Sequence, residues 1–276
     1  MQRKNLYVVS IVIFLLAAAC SAGINLFSDK DDAEMGKKFS EEILNHPKEY
    51  PIYQNTAVKN YINNRIFNEI LKSPEIKKKN VYNYQLEVID NDTTLNAFAV
   101  PGGYIYLYTG LLKYLDSEAA LAGVIGHEIG HVEKRHSTQR ITKAYGLSLL
   151  MNIVLGSNPN DVAAIVGNLF SGLALLANSR SDEEEADAAS LAYMRSTRYY
   201  PGSVKFFFEK LKAEGKIEKG DQGLATFLST HPDPIERIST TDQRLRTLGI
   251  EVRSFDSDGN GIYRSGYQKN IRAKIK

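Results

Sequence analysis

The chain has 276 residues, 43% of them hydrophobic and 24% charged, an ordinary globular composition that can bury one sizeable core. Its formal net charge of +2 resides in Arg3 and Lys4, because residues 1–19 hold no acid and the rest of the chain sets 32 basic side chains against 32 acidic ones. A near-neutral body gives no basic surface for nucleic acid, and a single cysteine, Cys20, excludes an intramolecular disulfide.

In chain order, a basic start is followed by an apolar run from Leu6 to Ala18 and then Ala17-Ala18-Ala19-Cys20. The run is too short to span a bilayer as a helix and suits the core of a signal peptide. It resembles a bacterial lipoprotein signal over residues 1–19, with Ala17 where a leucine is usual and Cys20 as the lipidated first residue. An ordinary cleaved signal and an uncleaved anchor are the alternatives. Acylation of Cys20 implies stable membrane attachment in the bacterial cell envelope. With Ser21 rather than aspartate next, it implies an outer-membrane address facing the periplasm where the source has two membranes. Residues 20–32 are polar and small, and read as a tether.

The body, residues 33–248, reads as α+β and mainly helical. Ala33 to Leu71 places Val58, Tyr61, Ile62, Ile66 and Ile70 at helical spacing, which predicts two helices broken at Pro47 and Pro51. Tyr84, Leu86 and Val88 alternate as in a half-buried strand. Ala97 to Val100, the turn at Pro101-Gly102-Gly103 and the strand Tyr104 to Tyr108 form a hairpin-like pair. A long helix then starts near Asp116 or Ser117. Tyr145 to Leu155 and Val162 to Ala177 are strongly apolar and read as buried or amphipathic helices rather than membrane spans. Ser181 with Glu184 predicts a capping box opening a helix through Met194. Val204 to Leu211, Ala225 to Leu228 and Ile235 to Leu248 are also helical in pattern. Residues 249–276 read as a turn-rich basic tail. Asp256 to Gly261 resembles half of a calcium loop, but Tyr267 stands where the bidentate acid belongs, so a plain turn is expected.

The chemistry lies in His127-Glu128-Ile129-Gly130-His131, an HExxH pattern. Two histidines four apart on a helix differ by about 40° in azimuth and about 6 Å in rise, so both imidazoles can reach one ion. Glu128 lies about 100° round, where it can meet a water without binding the metal. Gly123, Gly126 and Gly130 on the same helix each cost roughly 1 kcal/mol of helix propensity and suggest close approach by a neighbour. A hydrolytic zinc site needs a third protein ligand. The acidic run Asp182 to Asp187 offers Glu183 and Asp187 four apart on one face, the first as ligand and the second as partner of a ligand imidazole. Spacing alone does not choose Glu183 over Glu184.

These blocks together resemble a known family. Asn96 to Gly103, Thr109-Gly110-Leu111-Leu112, Glu118 leading to Gly126-His127-Glu128-Ile129-Gly130-His131, and Ser179-Arg180 with Glu183 to Asp187 look like the zinc metallopeptidases that include the CAAX prenyl proteases and HtpX. Within them the bacterial envelope lipoprotein peptidases of BepA and LoiP type are the most similar. The resemblance implies a gluzincin fold with a small sheet beside the HExxH helix and one Zn(2+) per chain. It implies His127, His131 and Glu183 as ligands, Glu128 as general base and Asp187 behind them. Thr230-His231-Pro232-Asp233-Pro234 with Arg237-Ile238 resembles a further family block. There His231 can approach the metal, stabilise an oxyanion, or simply enter a helix before a proline. Ala97, Phe98, Ala99 and Val100 can pair with an extended polypeptide substrate or serve as a structural strand. His136, five residues after His131, reads as structural or exposed. The expected function is metalloendopeptidase cleavage of unfolded or misassembled envelope proteins. The rivals are an assembly factor that holds polypeptides in the same groove with catalysis gated off, and a calcium-binding module.

Overall fold

The computed structural model describes residues 25–154, 169, 176–219 and 222–275; the expected signal peptide, Cys20 and most of Val162 to Ala177 lie outside these. Ser28 opens the first helix, α1 (Asp29–Asn45), by a reciprocal cap with Asp31. The expected tether therefore ends early. Asn25 Nδ2 donates to Thr138 Oγ1 at 2.8 Å, and buried Asp32 accepts from Tyr82 and from Arg135. The polar residues that suggested a tether instead supply a cap and a buried ion pair.

Helix α2 begins as Thr56–Tyr61 under an Asn55 cap, passes through a π-helical stretch, Ile62–Phe67, and ends as Asn68–Ile70. Its Val58, Ile62, Ile66 and Ile70 are fully buried, as their spacing predicts. Strands β1 (Gln85–Ile89), β2 (Ala97–Val100) and β3 (Tyr104–Tyr108) form one sheet in the order β1-β3-β2. The central β3 is parallel to β1 and antiparallel to β2. The turn between β2 and β3 needs glycine at Gly102, where φ is +74° and a Cβ would fall 2.8 Å from Ala33 of α1. This order leaves β2 as an edge strand.

After α3 (Thr109–Tyr114), Ser117 caps α4 (Glu118–Lys134) by accepting from the Ala120 amide. Every residue of α4 from Glu118 to Val132 is buried, so α4 is a central helix and not an amphipathic surface one. Arg135, in the left-handed conformation at φ 64°, turns the chain into α5 (His136–Val154). Next comes α6 (Arg180–Met194). Its capping box is Ser179 with Asp182, two residues earlier than the Ser181–Glu184 frame read from the sequence. Helix α6 packs directly on α4: a Cβ at Gly130 would lie 2.8 Å from the Ala186 carbonyl, and one at Gly126 would lie 2.7 Å from Ser190 Oγ. The glycines cost helix propensity and permit this approach.

Of the longer helices that follow, α7 (Phe206–Ala213) and α10 (Arg264–Asn270) pack on α4, α9 (Pro234–Thr247) packs on α6, and α8 (Gln222–Thr230) leads into His231. Residues 249–275 are not an appended tail. Ile262, Tyr267 and Ile271 are fully buried in the main core, and Tyr267 donates to the Leu112 carbonyl at 2.7 Å. Among the described residues no helix is long and apolar enough to cross a membrane.

Candidate metal centre

His127 and His131 project from successive turns of α4, with Nε2 atoms 2.9 Å apart. From α6, Glu183 brings Oε2 to 3.4 Å from His127 Nε2 and Oε1 to 3.3 Å from His131 Nε2. His231, just past the end of α8, sets Nδ1 3.0 Å from Glu183 Oε1 and 3.4 Å from His127 Nε2. A tetrahedral ion with bonds of about 2.0–2.1 Å separates its donor atoms by roughly 3.3 Å. The donor spacings, 2.9–3.4 Å, fit that requirement, and two imidazoles with a carboxylate are a donor set that zinc takes. All four side chains are buried.

A second layer fixes these donors. His127 Nδ1 donates to Asp187 Oδ1 at 2.8 Å, which leaves Nε2 free as a donor to a metal. Arg237 of α9 holds Asp187 at 2.8 and 2.6 Å and reaches Glu183 Oε2 at 2.6 Å, with its guanidinium over the Phe208 ring. Burial would raise the Glu183 carboxyl, but the charges of His231, Arg237 and His127 outweigh it and hold it well below the usual carboxylate range. Asp187 is likewise lowered against burial, chiefly by Arg237. Burial, with the His127 charge, keeps His131 well below the ordinary imidazole range. Against burial and Arg237, Glu183 and Asp187 push His127 up to about 9, so metal uptake displaces a proton there.

Glu128 belongs to the same helix but faces a cleft of about 190 Å³, not the donor cluster. Its Oε1 is buried without a hydrogen bond, 3.8 Å from His231 Nε2. Phe98, Ala99 and Val100 of the β2 edge line the same cleft beside Glu128, His131 and His231, whereas Ala97 is buried under the strand. Glu184, the rival of Glu183, points to the exterior and pairs with Arg244 at 3.3 Å.

Three further side chains support the cluster without a site role assigned by the sequence pattern. His136 is buried, with Nδ1 2.8 Å from His131 Nδ1. Arg237 lies in the same sequence block as His231, and nothing in that block's spacing pairs it with Asp187. Asn178, immediately before the Ser179 cap, brings Nδ2 to 3.4 Å from both His131 Nε2 and His231 Nδ1. The five-residue offset of His136 gives a helix angle away from His131. Only the left-handed turn at Arg135 brings the two rings together, and no sequence pattern announced that turn. His46, by contrast, is exposed and meets Glu42, one turn earlier in α1, through its carbonyl at 2.7 Å and its carboxylate at 3.7 Å.

Two histidines on one helix, an acid between them that faces a cleft, and a carboxylate donor from a packed second helix define a metallopeptidase of the zinc class. Residues 58–245 match the model of peptidase family M48, and the chain belongs to that family, whose cofactor is zinc. The chain is 36% identical over 150 residues to the mitochondrial metalloendopeptidase OMA1 of Arabidopsis thaliana, covering 54% of this chain and 29% of that protein. The OMA1 of Schizosaccharomyces pombe is 32% identical over 175 residues, 63% of this chain and 50% of that one. The beta-barrel assembly-enhancing protease of Escherichia coli K12 is 27% identical over 262 residues, 89% of this chain and 51% of that one. The chain thus spans about half the length, or less, of these relatives.

Proposed function

We propose that the chain is a zinc-dependent endopeptidase that cleaves extended or unfolded polypeptides. The observation that carries this is the cluster of His127, His131, Glu183 and His231 donors with Glu128 facing the adjacent cleft. Zinc, when bound, supplies Lewis acidity toward the attacking water and the scissile carbonyl. Glu128 takes the proton of that water and passes it to the leaving amine. Its buried, unbonded Oε1 supports this role, since the group it serves arrives with the substrate. Asp187 and His136 hold the two imidazoles in the tautomer that leaves Nε2 free. His231 presents Nδ1 to the donor cluster and Nε2 toward Glu128, so it serves as a fourth donor that yields its place or as a partner of the developing oxyanion.

The β2 edge supports main-chain recognition. An extended substrate added antiparallel along Ala97 to Val100 would run past Glu128, with side chains facing the aromatic wall of Phe98 and Tyr108. Selectivity resting on backbone hydrogen bonds favours unfolded or misassembled chains. We assign the enzyme to quality control in the bacterial cell envelope, anchored through lipidated Cys20. The compartment rests on the N-terminal signal alone, because the relatives include proteins named as mitochondrial as well as a protease named for beta-barrel assembly.

Glu128→Gln tests the reading. Zinc content should be unchanged and cleavage of unfolded casein should fall about 10²- to 10⁴-fold. Undiminished cleavage by the zinc-loaded variant would remove Glu128 from the chemistry.

A further inference from the structure

The cleft holds a charged group for which the peptide-bond chemistry has no use. Arg140 stands on α5, one turn beyond Ser137, and lines the cleft together with Glu128, His131 and the β2 residues Phe98 to Val100. A guanidinium carries five N–H donors and stays charged in proteins. Among the described residues those of Arg140 make one long contact, Nη2 to Ser137 Oγ at 3.4 Å, and Nε is buried with no partner. Among the described residues no carboxylate lies within ion-pair distance. Burial weakens the cation, and the pull of Asp182, Glu183 and Glu128 from farther away does not offset it.

The other guanidiniums near the site behave differently. Arg237 is ion-paired with Asp187 and Glu183, and Arg135 with Asp32 and Asp29, with a further bond to the Phe27 carbonyl. Arg140 is half-buried, and a partly desolvated cation without a counter-charge beside it is unfavourable unless something arrives to pair with it. Among the described residues that line the cleft, Arg140 is also the only Lys or Arg. The cleft wall shared by Tyr50, Phe98 and Tyr108 is aromatic, which lowers the local dielectric and strengthens any charge pair formed there.

We propose that Arg140 is an anion receptor of the substrate cleft, binding a carboxylate of the polypeptide. Two sources share this chemistry: an Asp or Glu side chain near the scissile bond, or the free C-terminal carboxylate. Either presents two oxygens to the guanidinium fork. Arg140 then selects among chains that the β2 edge admits without regard to side chain. The inference rests on the peptidase reading and adds to it a substrate class.

The test uses the zinc-loaded full chain and a synthetic peptide library of random sequence, prepared once with free C-termini and once amidated, with cleavage sites read by mass spectrometry. Matched peptide pairs, Glu against Gln or acid against amide, then give ratios of kcat/KM. For the side-chain source, Asp and Glu are enriched at one fixed distance from the cut in both libraries. For the terminal source, cuts fall at a fixed distance from the C-terminus in the free library and vanish on amidation. In either case the favoured member of a pair leads by about 10- to 100-fold, the lead collapses toward 1 in Arg140→Gln, and Arg140→Lys keeps part of it. A wild type that cleaves with neither preference, or an Arg140→Gln variant that keeps the full ratio, overturns the proposal alone. A zinc-loaded wild type that cleaves nothing overturns the peptidase reading with it.

Discussion

The two sides of the candidate cleft are built on opposite plans. On the metal wall, α4 and α6 are pressed together through glycines, and the donors are tied down from behind: His127 by Asp187, Asp187 and Glu183 by Arg237, His131 by His136. Elsewhere around the cleft, β2 has an unpaired edge among the described strands, Arg140 Nε on α5 is buried without a partner, and Glu128, although on α4, turns an unbonded Oε1 into the cleft. Buried polar groups are normally satisfied, and leaving one bare destabilises the free protein. The difference marks which side is complete before substrate arrives and which side is completed by it.

Substitutions on each wall should therefore fail in different ways. The largest effect is expected from the metal wall. Asp187→Asn removes the charge that orients His127 and neutralises Arg237, and should weaken zinc binding about 10- to 100-fold, measured by competition with a chromophoric chelator. An unaltered zinc affinity would show that the second layer is ornamental.

A substitution on the open wall should spare zinc. Tyr108 donates to the Asn96 carbonyl, so by antiparallel alternation Phe98 and Val100 face β3, and the Ala99 amide points to the free edge. Ala99→Pro deletes that donor without removing a ladder bond. It should lower kcat/KM for extended peptides about tenfold at unchanged zinc content. Loss of zinc together with activity would instead mean that β2 supports the metal wall.

The smallest effect is expected behind α4, remote from both walls. Tyr267→Phe removes the hydrogen bond to Leu112 and should cost about 1 kcal/mol, a fall of roughly 2–4 °C in Tm, with kcat/KM for all peptides unchanged. A change in substrate preference there would couple the C-terminal segment to the cleft.

What was legible in the sequence follows the same division by range of interaction. The HExxH pair and the edge strand could be read because helix and strand periods place neighbours in sequence beside one another in space. The choice of Glu183 over Glu184 comes from family likeness; in the structure Glu183 is buried beside His127 and His131 while Glu184 is exposed, a difference that no spacing encodes. Ser179–Asp182 and Ser181–Glu184 are overlapping frames of one capping pattern, and packing of Asp182 against the protein selects the first. Arg237 and His136 act across chain separations or turns that only tertiary contact defines. The C-terminal segment was misread because its glycines and charges obscured Tyr267, Ile271 and Ile275. Their four-residue spacing was the available signal that this stretch packs on the core.

The most direct measurement is the zinc stoichiometry of the purified wild-type chain alongside Glu183→Gln, by elemental analysis after dialysis at limiting free zinc. The expected result is one zinc per wild-type chain and a large loss of retained metal in Glu183→Gln, with the fold kept by circular dichroism. A wild type that takes up no zinc, or a Glu183→Gln variant that holds it as tightly, would contradict the assignment of His127, His131 and Glu183 as the metal site.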